Sequence, residues 1–182
     1  MDYDKLFFEL NERLKSSGKY LNIICGGGFA LMINDIRATN DIDAFFDEDN
    51  WIMEQIRAIG EKYNVNVGAD LWLNTSIKTF NKQPPQDSYE VFSKYSNLTV
   101  QVVTLNYLLG MKLFSQREKD IADAGEIIKK LEIEDPILVI KNNSNFNIDA
   151  SNVLWAFELA YSEDWLEKYM IEHKEQIERY FR

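Results

Sequence analysis

The chain has 182 residues, 46% of them hydrophobic and 27% charged, with a formal net charge of −10. That is enough apolar material for one domain with its own core. The negative charge excludes non-specific binding to nucleic acid or to an anionic membrane, since both need clustered Lys and Arg.

The first stretch, "MDYDKLFFELNERL", has acids where a secretion signal has bases, and it has no long apolar run. No stretch approaches the roughly 20 apolar residues of a membrane span. A cytoplasmic protein without a membrane partner is expected. Leu6, Phe7, Leu10 and Leu14 recur at helical spacing and predict a helix over Asp2–Lys15, ended by "SSGKY". "LNIIC" reads as a buried strand closed by Gly26, Gly27 and Gly28. The single cysteine, Cys25, excludes an internal disulfide and reads as a buried thiol.

Phe29–Ile36 predicts two helical turns. "DIDAFF" predicts a second strand beginning with Asp41 and Asp43, followed by a helix over Trp51–Tyr63 capped by Asp49 or Asn50. "ADLWLNTSIKTF" reads as helix or irregular chain, and "NKQPPQDS" as a loop. Tyr89–Tyr95 and Leu98–Thr104 predict a hairpin turning at "SN". Beyond it the pattern is helical: Leu105–Leu131 as one helix or two, a segment opened by Pro136, then Ala150–Tyr161 and Glu163–Phe181. The expected fold is α+β, one domain over residues 1–182. A small mixed sheet flanked by helices fills residues 1–104, and a helical part fills residues 105–182.

The two aspartates pose the chemical question. Side chains at i and i+2 of a strand share a face. Asp41 and Asp43 therefore present adjacent carboxylates, with Ile42 buried beneath. Such a pair repels itself unless a proton or a cation lies between. Hard oxygen donors favour Mg²⁺ or Mn²⁺, and Mg²⁺ is commonly held by one or two carboxylates plus substrate phosphates. A glycine turn before a helix lets backbone N–H groups approach a phosphate. Arg37 and Thr39 lie just before the acidic pair, and Arg37 is placed to bind phosphate or to pair with a carboxylate.

In this order and spacing, "GGGFALMINDIRATNDIDAFF" resembles the signature of the polymerase-beta-like nucleotidyltransferase superfamily: Gly-Gly or Gly-Ser, about a dozen residues, then Asp-apolar-Asp. The Arg-x-Thr-x-Asp-Ile-Asp form resembles the branch of the AbiEii-type toxins of abortive-infection toxin–antitoxin systems. "LNYLLGMKLFSQREKDIADAGEI" is similar to that branch's later helical block, with its Lys, following Arg and Asp-x-x-Asp falling on Lys112, Arg117, Asp120 and Asp123. The two blocks span about a quarter of the chain. On one continuous helix, at about 100° per residue, Lys112, Gln116 and Asp123 project within roughly 40° of one another. Without the resemblance, that cluster is a solvated face of ion pairs.

The resemblance implies a nucleotidyltransferase fold and Mg²⁺-dependent transfer of a nucleoside monophosphate from an NTP to an RNA, protein or small-molecule acceptor, with an antitoxin as a partner. It implies Asp41, Asp43, Lys112 and Asp120 as catalytic residues, the two strand aspartates also holding the metal. Gly26, Gly27, Arg37, Thr39 and Arg117 would bind the nucleotide. Polymerising members carry a third carboxylate on a later strand. "LTVQVVT" is the natural place for it, and that slot holds Gln101; Asp70 is a substitute. A neutral amide there leaves a second expectation open, a non-catalytic nucleotide-binding or toxin–antitoxin partner protein. His173, a lone histidine, makes no metal site. The four tryptophans and "ELAYSEDWLEKYM" read as packing.

Overall fold

The computed structural model describes residues 2–66, 71–79 and 82–180. The chain divides into two units, Met1–Thr104 and Leu105–Arg182.

In the first unit, α1 (Tyr3–Ser17) is capped by Asp2, which accepts the Lys5 N–H, and ends at Gly18 with φ 67°. β1 (Leu21–Cys25) leads into α2 (Gly27–Ile33) and β2 (Ile42–Phe45). α3 (Asn50–Tyr63) follows, capped by Asp49, which accepts the Ile52 N–H at 2.7 Å. Then come β3 (Leu73–Asn74), β4 (Tyr89–Lys94) and β5 (Leu98–Val103), with short 3-10 turns at Ser76–Thr79 and Gln86–Ser88.

The sheet order is β3-β2-β1-β5-β4. β1 is antiparallel to β2, with Ile24 opposite Phe45 and Cys25 opposite Ala44, and parallel to β5. β2 is parallel to β3, and β4 and β5 form the expected hairpin. The result is an α+β fold with a five-stranded mixed sheet flanked by helices, as the pattern of the sequence leads one to expect.

Buried side chains of the strands and of α1 build the core. Ile23, Ile42, Ala44 and Val100 are fully buried, and so are Phe7, Leu10 and Leu14 on α1. Burying each large side chain contributes about 1.5–3 kcal/mol. Trp72 anchors the far edge: its ring meets Phe7 at 6.0 Å and its indole N–H donates to the Ile56 carbonyl at 2.8 Å.

Three elements differ from expectation in this unit. α2 begins at Gly27 and stops at Ile33, because Asn34 Nδ2 turns back to the Ala30 carbonyl at 2.8 Å and Asp35 takes φ 58°. β2 starts at Ile42, which leaves Asp41 in the bend before it. β3 lies inside the stretch expected to be helix or irregular.

The second unit is helical: α4 (Leu105–Ser115), α5 (Glu118–Lys130), α6 (Pro136–Asn142), α7 (Ala150–Ala160), α8 (Glu163–Glu172) and α9 (Lys174–Tyr180). Pro136 occupies the first turn of α6 behind the Asp135 cap. The helix expected over Glu163–Phe181 divides at His173, which ends α8; Phe181 lies outside the described residues. Phe157, Tyr161, Trp165 and Tyr169 stack in sequence, with centroid spacings of 6.2, 4.6 and 5.4 Å, so "ELAYSEDWLEKYM" packs as expected. His173 sits on Tyr169 at 4.3 Å. Among the described residues no helix is long and apolar enough to cross a membrane.

Candidate active site

The β1–β2 register brings the glycine turn to the aspartates. Continuing the ladder one step past Cys25 and Ala44 sets Gly26 against Asp43, and the Gly26 N–H donates to the Asp43 carbonyl at 2.9 Å. Gly27 has φ 52°, a conformation L side chains rarely adopt. A Cβ at residue 27 would also lie 2.7 Å from Asp43 Oδ2. At residue 28 a Cβ would lie 2.5 Å from Thr39 Oγ1 and 3.4 Å from Arg37 Nη1. Thr39 Oγ1 in turn donates to Asp41 Oδ1 at 3.0 Å. Gly27, Gly28, Arg37, Thr39, Asp41 and Asp43 thus form one polar constellation, with both carboxylates half-buried beside the turn. α1 braces it: the Tyr3 hydroxyl donates to the Thr39 carbonyl at 2.7 Å. Burial, and then the nearby Asp41 charge, push the Tyr3 phenol up to about 12.

The strand on the other side of β2 supplies residues that the sequence pattern did not single out. Asn74 of β3 is in register with Asp43. Ser76 Oγ lies 2.6 Å from Asp43 Oδ1. Gln101 does not occupy this place. It faces Ile24 on the far side of β1, two strand spacings from β2, or about 10 Å. The slot beside Asp43 therefore belongs to Asn74, and Gln101 says nothing about it. Asp70 lies outside the described residues.

The donors around the turn are carboxylate, hydroxyl and amide oxygens, the chemistry of a Mg²⁺ or Mn²⁺ site. Among the described residues there is no group of three or more His, Cys, Asp or Glu that could hold a metal. Two carboxylates completed by substrate phosphates are an ordinary arrangement for Mg²⁺, and the residues fit such an ion.

The second block forms its own cluster. The chain breaks between α4 and α5, where Gln116 takes φ 59°. The break folds Asp120 and Asp123 back onto Lys112, so the cluster arises from two packed helices and not from one helical face; Gln116 is exposed and outside it. Lys112 Nζ pairs with Asp120 Oδ1 and, at 2.8 Å, with Asp123 Oδ2. The Lys112 side chain is only 8% exposed, so a solvated face is not what the structure shows. Asp120 Oδ2 accepts from Ser115 Oγ and from Arg117 Nε, both at 2.5 Å. Burial pushes the Asp120 carboxyl up, but hydrogen bonds from Lys112, Ser115 and Arg117 outweigh it and hold the group below the ordinary carboxylate range. The Arg117 side chain is 72% exposed.

Comparison with known proteins decides the family. The model of a family described as nucleotidyltransferase of unknown function (DUF6036) matches residues 3–168. The chain belongs to this family. Searches of curated proteins and of solved structures give no match.

For a nucleotidyltransferase of this family the matched span takes in both motif blocks. The superfamily expectation is met at that level. Of the residues missed, Asn74 ends a two-residue strand and Ser76 opens the short 3-10 turn after it, both too short to show any periodicity. The available signal was "NTS", in which an Asn two residues before a Ser favours a local side-chain-to-backbone turn; the Ser76 N–H does donate to Asn74 Oδ1 at 3.0 Å.

Proposed function

We propose that this family member transfers a nucleoside monophosphate from an NTP to an acceptor hydroxyl. The acceptor oxygen bonds to the α-phosphorus and gives up its proton to solvent, the bond to the bridging oxygen breaks, and pyrophosphate leaves with that electron pair. The observation that carries the proposal is how closely the glycine turn packs on the acidic pair: a Cβ at residue 27 would lie 2.7 Å from Asp43 Oδ2.

Asp41 and Asp43 hold Mg²⁺ or Mn²⁺, which when bound offsets the negative charge of the phosphates. The Gly26–Gly27 turn seats the phosphates; the Gly26 N–H stays on the Asp43 carbonyl, so the backbone donor of the turn is the Gly27 N–H. Thr39 fixes Asp41 through its hydroxyl, and Arg37 lies over Gly28 as a cation for the same phosphates. The resemblance of the second block assigns Lys112 and Asp120 to catalysis and Arg117 to nucleotide binding. Its further suggestion is a toxin of the AbiEii type with an antitoxin partner, acting in the cytoplasm. With a net charge of −10, a protein or small-molecule acceptor is favoured over RNA.

A second reading has its own observation. The Lys112 ammonium is already engaged by two buried carboxylates, as in a structural ion cluster. A non-catalytic nucleotide-binding or toxin–antitoxin partner protein on the same fold would look like this. Incubation with each α-labelled NTP, Mg²⁺, total RNA and protein extract separates the two. Label should move to an acceptor with the wild type and not with Asp43→Asn. A wild type that binds Mg–NTP but labels nothing would make the protein a binder.

A further inference from the structure

The order β3-β2-β1-β5-β4 leaves two outer strands. β3 has two residues, which blunts that edge, whereas β4 has six. An outer strand presents a row of backbone N–H and C=O groups to whatever can pair with them, and charge, proline, brevity or a bulge usually guards it. The centre of β4 carries neither charge nor proline. Val91 and Phe92 stand side by side there, 58% and 45% exposed. Phe29 of α2 meets the Phe92 ring edge-on at 5.6 Å, so that ring is a fixed part of the surface.

The edge is also its own complement. Counted outwards from Phe92, "YEVFSKY" matches Glu90 with Lys94 and Tyr89 with Tyr95. Two such strands laid antiparallel about a two-fold axis at Phe92 set Glu90 of each copy opposite Lys94 of the other. The same axis sets Tyr89 opposite Tyr95 and Phe92 opposite Phe92. Opposite charges and aromatic pairs are the cross-strand combinations that stabilise antiparallel pairing. Glu90 and Lys94 are both exposed. The one guard on this edge, a bulge between Val91 and Ser93, lies on that axis. Both copies therefore bend alike, and the register on either side of the bulge is kept.

We propose that β4 pairs antiparallel with β4 of a second copy of this chain, joining the two sheets into one. The contact is isologous and uses up the long edge of both copies, so assembly stops at the dimer. A six-residue strand pair lies at the small end of interface sizes, which makes the dimer reversible, with a Kd of about 1–100 µM.

Sedimentation velocity of the full chain, over concentrations that bracket this Kd, is the test. The wild type should pass from monomer to dimer and no further. Glu90→Lys sets lysines opposite each other at both ends of the pair, and Lys94→Glu does the same with glutamates. Each should weaken the dimer about 10-fold or more. The double variant, Glu90→Lys with Lys94→Glu, restores both opposite-charge pairs and should dimerise like the wild type, a recovery that misfolding cannot imitate. A wild type that stays monomeric throughout, or that goes on to larger species, would overturn the proposal. So would single variants that dimerise like the wild type, or a double variant as weak as the single ones.

Discussion

A methyl group on residue 27 would meet Asp43 Oδ2 at 2.7 Å, and the backbone there already has φ 52°. Gly27→Ala therefore carries two costs, the left-handed backbone and the displaced carboxylate. Gly18 provides the comparison, with φ 67° and nothing within 4 Å of a Cβ. Gly18→Ala should lose only the backbone term, about 1–2 kcal/mol, and Gly27→Ala measurably more by thermal or urea unfolding. Equal losses would mean that Asp43 yields freely. The acidic pair gives the opposite expectation. Asp41 accepts from Thr39 and Asp43 from Ser76, and an Asn at either position keeps an acceptor oxygen. Changing both to Asn removes their mutual repulsion. The double variant should melt at or slightly above the wild-type temperature and lose all stabilisation by Mg²⁺ with NTP. A strong loss of stability without ligand would make the pair structural.

At the scale of the element, the α4–α5 corner concentrates four charges, Lys112, Arg117, Asp120 and Asp123. Removing one member of a buried ion set leaves an uncompensated charge and costs about 3–5 kcal/mol. Lys112→Met should lose that much by urea unfolding. The pH dependence follows from Asp120. Its carboxyl is held below the ordinary range in the folded chain, so it stabilises the fold above the unfolded pKa of about 4. That contribution disappears as pH falls through the lower folded value. Melting temperature should therefore drop as pH falls below about 4 in the wild type, with a shallower drop in Asp120→Asn. An identical profile in the variant would show that Asp120 titrates normally.

The same corner shows where sequence patterns stop. Helical spacing over Leu6–Leu14, the apolar run of "LNIIC" and the alternation in "LTVQVV" are strong signals, and α1, β1 and β5 fall where they point. The α4–α5 break depends on Gln116 adopting a positive φ, for which side-chain chemistry gives no warning. Lys112 and Asp120 meet because of that break, so their motif was legible and their geometry was not. β3 has two residues and no period. Its pairing with β2 is a tertiary fact, and it moves the place beside Asp43 from Gln101 to Asn74.

Over the whole molecule, the glycine turn and the Asp41–Asp43 pair belong to the first unit and the Lys112 cluster to the second. The central claim, that the first unit seats a metal-bound NTP between glycine turn and aspartates, is tested most directly by nucleotide-dependent thermal stability. Mg²⁺ with NTP at about 100 times its Kd adds roughly 2.7 kcal/mol, or roughly 5–10 °C for a chain of this size. The wild type should show that rise with Mg²⁺ or Mn²⁺ present, a small rise or none with NTP and EDTA, and no metal-dependent rise in Asp43→Asn. A rise of equal size in EDTA, or one that survives Asp43→Asn, would contradict it.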